Sequence, residues 1–157
     1  MKKILFNIAS FVFVAALSLT SCGNKTEESA ELLFQQASAC CDSGNYDKTL
    51  ALIDTLRNKY PEAIEARKKA LKLYADASEK QAQERIAELD GQLQEAEKKF
   101  SEMKVIVEKH KKEGRATSEE LTSFTMLRMH RDSIRTQFDT ECEKIKFIHK
   151  KRQQDID

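Results

Sequence analysis

The sequence predicts an all-α chain: a short helix pair followed by a long antiparallel coiled-coil helical hairpin. Three observations carry that expectation. Charged side chains make up 34% of the 157 residues, while the chain has no Trp, one Pro and four Gly. That is the make-up of long solvated helices rather than of a turn-rich sheet protein. Ile86, Leu89, Leu93, Ala96, Phe100, Met103, Val107 and His110 recur at alternating spacings of three and four, a heptad seam. A second seam, Phe124, Leu127, Arg131, Ile134, Phe138, Glu141 or Cys142, Ile145 and Ile148, follows after one tight break.

The first helix is expected over Glu27 to Asp42, with Leu32, Leu33, Phe34, Ala37 and Cys40 or Cys41 supplying apolar faces. Ser43-Gly44-Asn45 is a turn in which Gly44 suits the left-handed residue that closes a helix. Tyr46 to Tyr60 forms a second helix with Leu50, Ile53 and Leu56 along one side, and Pro61 ends it. From Glu62 the chain meets no proline and no helix-stopping cluster before Gly114; Gly91 weakens this long helix locally, by about 1 kcal/mol against Ala. After Glu113-Gly114-Arg115-Ala116, Thr117 and Glu120 have the spacing of a capping box, and a last helix runs to about Gln154.

The short connection favours an antiparallel hairpin over an intermolecular coiled coil built on the same seam. The register then sets Val107 against Leu121 and Phe124, Leu93 near Ile134 and Phe138, and Ile86 near Ile145. The hairpin is expected over 76–155.

Residues 30–75 resemble one tetratricopeptide repeat and the start of a second. The string Gly44-Asn45-Tyr46-Asp47-Lys48-Thr49-Leu50 is similar to that family's Gly-x-Tyr-x-x-Ala segment, with Thr49 where alanine is usual and Gln36 where leucine is usual. Pro61 stands at the family's inter-repeat spacing, and Ala70, Leu71 and Tyr74 fall where the next repeat's packing residues would lie. In architecture this resembles the repeats of the lipoprotein in the outer-membrane β-barrel assembly machine, a longer protein with more of them. The resemblance implies a protein-binding groove, for which Tyr46, Ile53, Tyr60, Leu71 and Tyr74 are the candidate interface residues, with internal packing as the rival reading for most of them.

The N-terminus reads as an export signal. Met1-Lys2-Lys3 is cationic, Ile4 to Leu17 is mostly apolar, and small residues lead to Cys22. The string Leu19-Thr20-Ser21-Cys22 resembles the lipobox of bacterial lipoproteins, which implies removal of residues 1–21 and lipid attachment at Cys22. An uncleaved anchor helix with Cys22 as an ordinary thiol is the rival reading. Residues 22–29 are expected to form a flexible tether. By resemblance to the sorting rule of enteric bacteria, Gly23 points to the outer membrane, and Lys25 with Glu27-Glu28 is similar to the export tag of some surface lipoproteins.

Charge and motifs narrow the function classes. Removing residues 1–21 takes two lysines and no acid from a chain of formal charge +1, leaving it near −1, with no general pull toward nucleic acid. His110, His130 and His149 lack a His or Cys partner three or four residues away, so no metal ligation is expected. No Gly-rich phosphate loop and no Gly-x-Ser-x-Gly elbow occurs. No catalytic residue, metal or cofactor is therefore expected. Cys40 and Cys41, adjacent on a helix, point about 100° apart and suit a mutual disulfide poorly; with Cys142 they are expected as half-buried thiols. An intermolecular or redox role for them stays open.

Two basic clusters remain: Lys109, His110, Lys111, Lys112 and Arg115 at the hairpin turn, and Lys144, Lys146, His149, Lys150, Lys151 and Arg152 near the C-terminus. Cations near a helix C-terminus oppose its dipole; contact with anionic lipid, glycan or an acidic partner is the functional alternative. The expectation is a non-enzymatic lipoprotein of the cell envelope, held by its N-terminal lipid and serving as adaptor or scaffold for an envelope protein. The alternative is a surface-displayed lipoprotein binding an anionic host or glycan ligand through Lys109, Lys111, Lys112 and Arg115.

Overall fold

The computed structural model describes residues 25–154. The expected signal segment and Cys22 lie outside the described residues. Four helices and no strand occur among those described: α1 (25–42), α2 (Tyr46–Lys59), α3 (Ile64–Lys112) and α4 (Ser118–Gln154). The chain divides into two compact units between Ser78 and Glu79, and α3 contributes to both.

Backbone hydrogen bonding explains where the helices stop. Gly44 and Gly114 are the positive-φ residues, at +78° and +70°. Each sits two residues past the last helical residue, where the left-handed conformation lets the chain fold back on its last turn. The N–H of Gly44 donates to Cys41 O and that of Asn45 to Cys40 O; Gly114 donates to Lys111 O and Arg115 to His110 O in the same double pattern. Asn45 serves twice, since its side-chain oxygen also accepts the Lys48 N–H and opens α2. Tyr60 closes α2 by donating its N–H to Leu56 O. At α4 the expected capping box forms: Glu120 N–H donates to Thr117 Oγ1 at 3.2 Å, and Thr117 N–H donates to Glu120 Oε2 at 3.1 Å.

The first unit packs α1, α2 and the start of α3 around Ala30, Ala37, Ile53, Leu56, Ala63, Ala66 and Ala70. So many alanines let the helix backbones approach closely, while Ile53 and Leu56 supply the bulk, each worth about 1.5–3 kcal/mol when fully buried. Thr49, standing where the repeat family usually has alanine, is fully buried. Its hydroxyl donates to Asn45 O in its own helix at 2.9 Å and lies 3.4 Å from Ala37 O across the interface, so the added polar atom is satisfied.

The tether expected over 22–29 is corrected over its second half. Residues 25–29 are helical, and Thr26 and Glu27 are half-buried. The reason is at α3, whose first turn has Ala63 in the capping position and so no side-chain acceptor of its own. Glu27 Oε1 takes the Ala66 N–H instead, at 2.9 Å, and Glu31 pairs with Lys69 at 3.1 Å beside it.

The second unit is a hairpin of two long helices. Its partners recede in opposite directions from the turn: His110 with Glu120, Glu97 with Arg135, Glu79 with Arg152. The pairing is therefore antiparallel and intramolecular. Leu89, Ala96 and Ile134 form its core with Leu93 and Phe138 against them, the register expected from the seams. Every residue of both seams is buried or half-buried. The charged seam position Arg131 is accommodated by aromatic rings. Its guanidinium lies 4.1 Å from the Phe100 ring centre, and Phe100 stacks on Phe124 at 5.0 Å.

Candidate interaction surfaces

The five residues expected to line a groove in the first unit do not share one surface. Ile53 is wholly enclosed and belongs to the core, so it cannot touch a partner. Heptad-like spacing cannot separate a helix side that faces a groove from one that faces a neighbour, and here α1 and α3 cover it. Tyr60 and Tyr74 pack against the same core, and Arg57 lies 5.6 Å from the Tyr74 ring centre. Tyr46 is half-buried. Leu71, expected as a packing residue, is 57% exposed. It lines a cleft of about 230 Å³ with Arg57, Ile64, Arg67 and Lys68. The cations of that cleft are partly engaged, Arg67 with Pro61 O at 2.6 Å and Lys68 with Glu65 at 2.9 Å. An open concavity of about 730 Å³ lies between α1 and α3, lined by Glu27, Glu28, Glu31, Leu32, Glu65 and Lys69.

The turn end of the hairpin combines two kinds of group. Lys109, Lys111 and Lys112 are exposed and pair with no carboxylate among the described residues, whereas Arg115 pairs with Glu113. His110 is not part of the solvated cluster. Its Nδ1 lies 2.7 Å from Glu120 Oε1, and both side chains are largely covered. The Thr117 N–H holds the Glu120 carboxyl below the usual carboxylate range; desolvation opposes this, and His110 adds to the lowering. On the same half of the hairpin four large apolar side chains are exposed: Val105 and Ile106 on α3, Met126 and Met129 on α4. None belongs to a seam, and that was their signal in the sequence. Apolar residues out of phase with a heptad have no helix to pack on.

The open end of the hairpin is organised by Glu79. Its side chain is only 16% exposed; it accepts from Arg152, and its Oε1 lies 2.7 Å from His149 Nε2. His149 and Arg152 draw its carboxyl below the usual range while burial pushes the other way. Two members of the C-terminal basic cluster thus serve as structural partners of Glu79. Lys144 and Lys146 pair with Glu141 and Glu143. Lys150 and Lys151 remain exposed beside Phe147, which is 60% exposed.

Cys40, Cys41 and Cys142 form no disulfide with one another, and Cys41 is buried. Among the described residues, no group of three or more His, Cys, Asp or Glu side chains converges on a metal-sized site, and no helix is long and apolar enough to cross a membrane. No protein-family model, curated protein or solved structure matches the chain.

Proposed function

We propose that the chain is a lipid-anchored, non-enzymatic adaptor of the cell envelope, held at the outer membrane through Cys22 and contacting a partner protein with the turn end of its hairpin. One observation carries this reading: Val105, Ile106, Met126 and Met129, none of them a seam residue, are exposed on the turn half of the hairpin, and Lys109, Lys111 and Lys112 are exposed there with no carboxylate partner among the described residues. Apolar side chains that cost solubility without serving the fold mark contact surfaces, and a cationic rim favours an acidic partner and speeds its approach. A hairpin helix of about 34 residues from Glu79 to Lys112 separates this surface from the open end by about 50 Å.

A photocrosslinker at position 105 or 129 in intact cells should capture one envelope protein reproducibly. The double substitution Val105→Asp, Met129→Asp should abolish the adduct at unchanged helix content. Adduct formation insensitive to that substitution would move the partner site elsewhere, with the Leu71 cleft as the next position to label.

The second reading, a displayed protein binding an anionic glycan, is favoured by the same three unpaired lysines. Protease treatment of whole cells separates the two. Cleavage of the turn on intact cells supports display, and full protection supports a periplasmic adaptor.

A further inference from the structure

We infer that the solvent face of the last turns of α4, centred on Phe147, is a docking surface for an anionic phospholipid leaflet. Phe147 lies two residues after Ile145 and one before Ile148, both seam positions, so it points about 200° and 100° away from them. The rotation of the helix is fixed by its inner side: Ile148 is buried, and His149 and Arg152 are held by Glu79. With the helix held in this rotation, the ring is exposed to water, and the Lys151 ammonium lies 5.8 Å from its centre.

The charge around the ring is predominantly positive. From Lys144 to Arg152 the sequence contains no acid. The nearest acid on the Phe147 face, Glu143, is taken by Lys146 at 2.6 Å. Lys150 and Lys151, one turn on from the ring, pair with no carboxylate among the described residues. A single exposed aromatic ring flanked by exposed lysines is too small for a stable protein interface, which needs a contiguous patch. It fits the headgroup layer, where the ring inserts shallowly and each lysine meets a phosphate. The inference rests on the envelope reading only for its setting; the face would bind an anionic leaflet whether or not Cys22 is acylated.

The chain has no native tryptophan, so Phe147→Trp makes residue 147 the single reporter. Phe147 is largely exposed, and circular dichroism of the full chain should show unchanged helix content. With phosphatidylglycerol vesicles its emission should shift to the blue and be quenched by brominated acyl chains, and phosphatidylcholine vesicles should do neither. Adding Lys150→Ala and Lys151→Ala should raise the lipid concentration for half-response roughly thirtyfold. Met129→Trp, at the turn end of the same chain, should stay water-like in both vesicles, which separates docking of this face from insertion of the N-terminal segment. Three results would overturn the inference: emission unmoved by anionic vesicles, an equal response to both lipids, or a concentration-dependent blue shift without vesicles, which would make the occupant a second copy. None of these bears on the partner site at the turn, which the crosslinks at 105 and 129 report separately.

Discussion

Glu27, in the first helix, closes the N-terminus of the third: its Oε1 accepts the backbone N–H of Ala66 at 2.9 Å, thirty-nine residues further along the chain. A helix leaves its first N–H groups without intrahelical acceptors, and a cap side chain normally answers one of them. With Ala63 in that position, the acceptor comes from a neighbouring helix. Glu27→Ala should destabilise the first unit by about 1 kcal/mol, with Gln recovering part of the loss. Urea unfolding measures it. A loss confined to residues before 30 in amide exchange would mean the contact only orders the helix end.

The turn end predicts a pH dependence with a definite sign. The Glu120 carboxyl is held below its ordinary range in the folded chain. A group of that kind adds stability above its unfolded pKa and loses the contribution as pH falls through the lower folded value. Wild type should therefore be more stable than Glu120→Gln at neutral pH, and the gap in Tm should close under acid conditions. A gap that stayed constant through the carboxylate range would assign the effect to the hydrogen-bond geometry with Thr117 and not to the charge.

Two glycines should respond to alanine with opposite signs. Gly91 sits within α3 with nothing inside 4 Å of an added Cβ and no positive φ. Gly91→Ala should stabilise the hairpin by about 1 kcal/mol through helix propensity. Gly114, at φ +70°, is equally unobstructed but left-handed. Gly114→Ala should cost about 1–2 kcal/mol through backbone strain alone. Both are read from the same denaturation series, and equal signs would show that the Gly114 turn relaxes.

The hairpin was legible in the sequence because its register depends on periodicity. Once Leu89, Leu93, Ala96 and Ile134, Phe138 recur at heptad spacing across one tight turn, antiparallel pairing leaves one alignment that buries both seams. The first unit was legible as helices but not as surfaces. Ile53 and Leu71 both recur with helical period, and only the placement of α1, α2 and α3 around Ala30 and Ala66 decides that one is enclosed and the other open. The roles of Glu27 and Glu79 carry no signal in the sequence, because a cap or clasp made with a residue 39 or 73 positions away leaves no local pattern. The difference between Ile53 and Leu71 is measurable: Ile53→Ala should cost roughly 2–5 kcal/mol, while Leu71→Ala should change stability by less than about 0.5 kcal/mol.

Glu79 should govern how tightly the open end of the hairpin closes. It is the acceptor for both His149 and Arg152, and its side chain is more covered than either of theirs. Its partners are partly solvated, so the pairing is worth no more than about 1 kcal/mol, and its effect is local fraying and not global unfolding. Glu79→Ala should accelerate amide exchange in the last two turns of α4 by roughly fivefold while leaving the residues around Leu89 and Ile134 unchanged. Releasing the clasp also frees α4 to rotate about its axis, so Phe147 would lose its fixed outward direction. If the Phe147 face docks on lipid, Glu79→Ala should weaken the vesicle response of a tryptophan at 147 although residue 79 touches neither the ring nor the bilayer. Faster exchange without a weaker response would show that the ring finds the leaflet from a frayed helix as readily as from an ordered one.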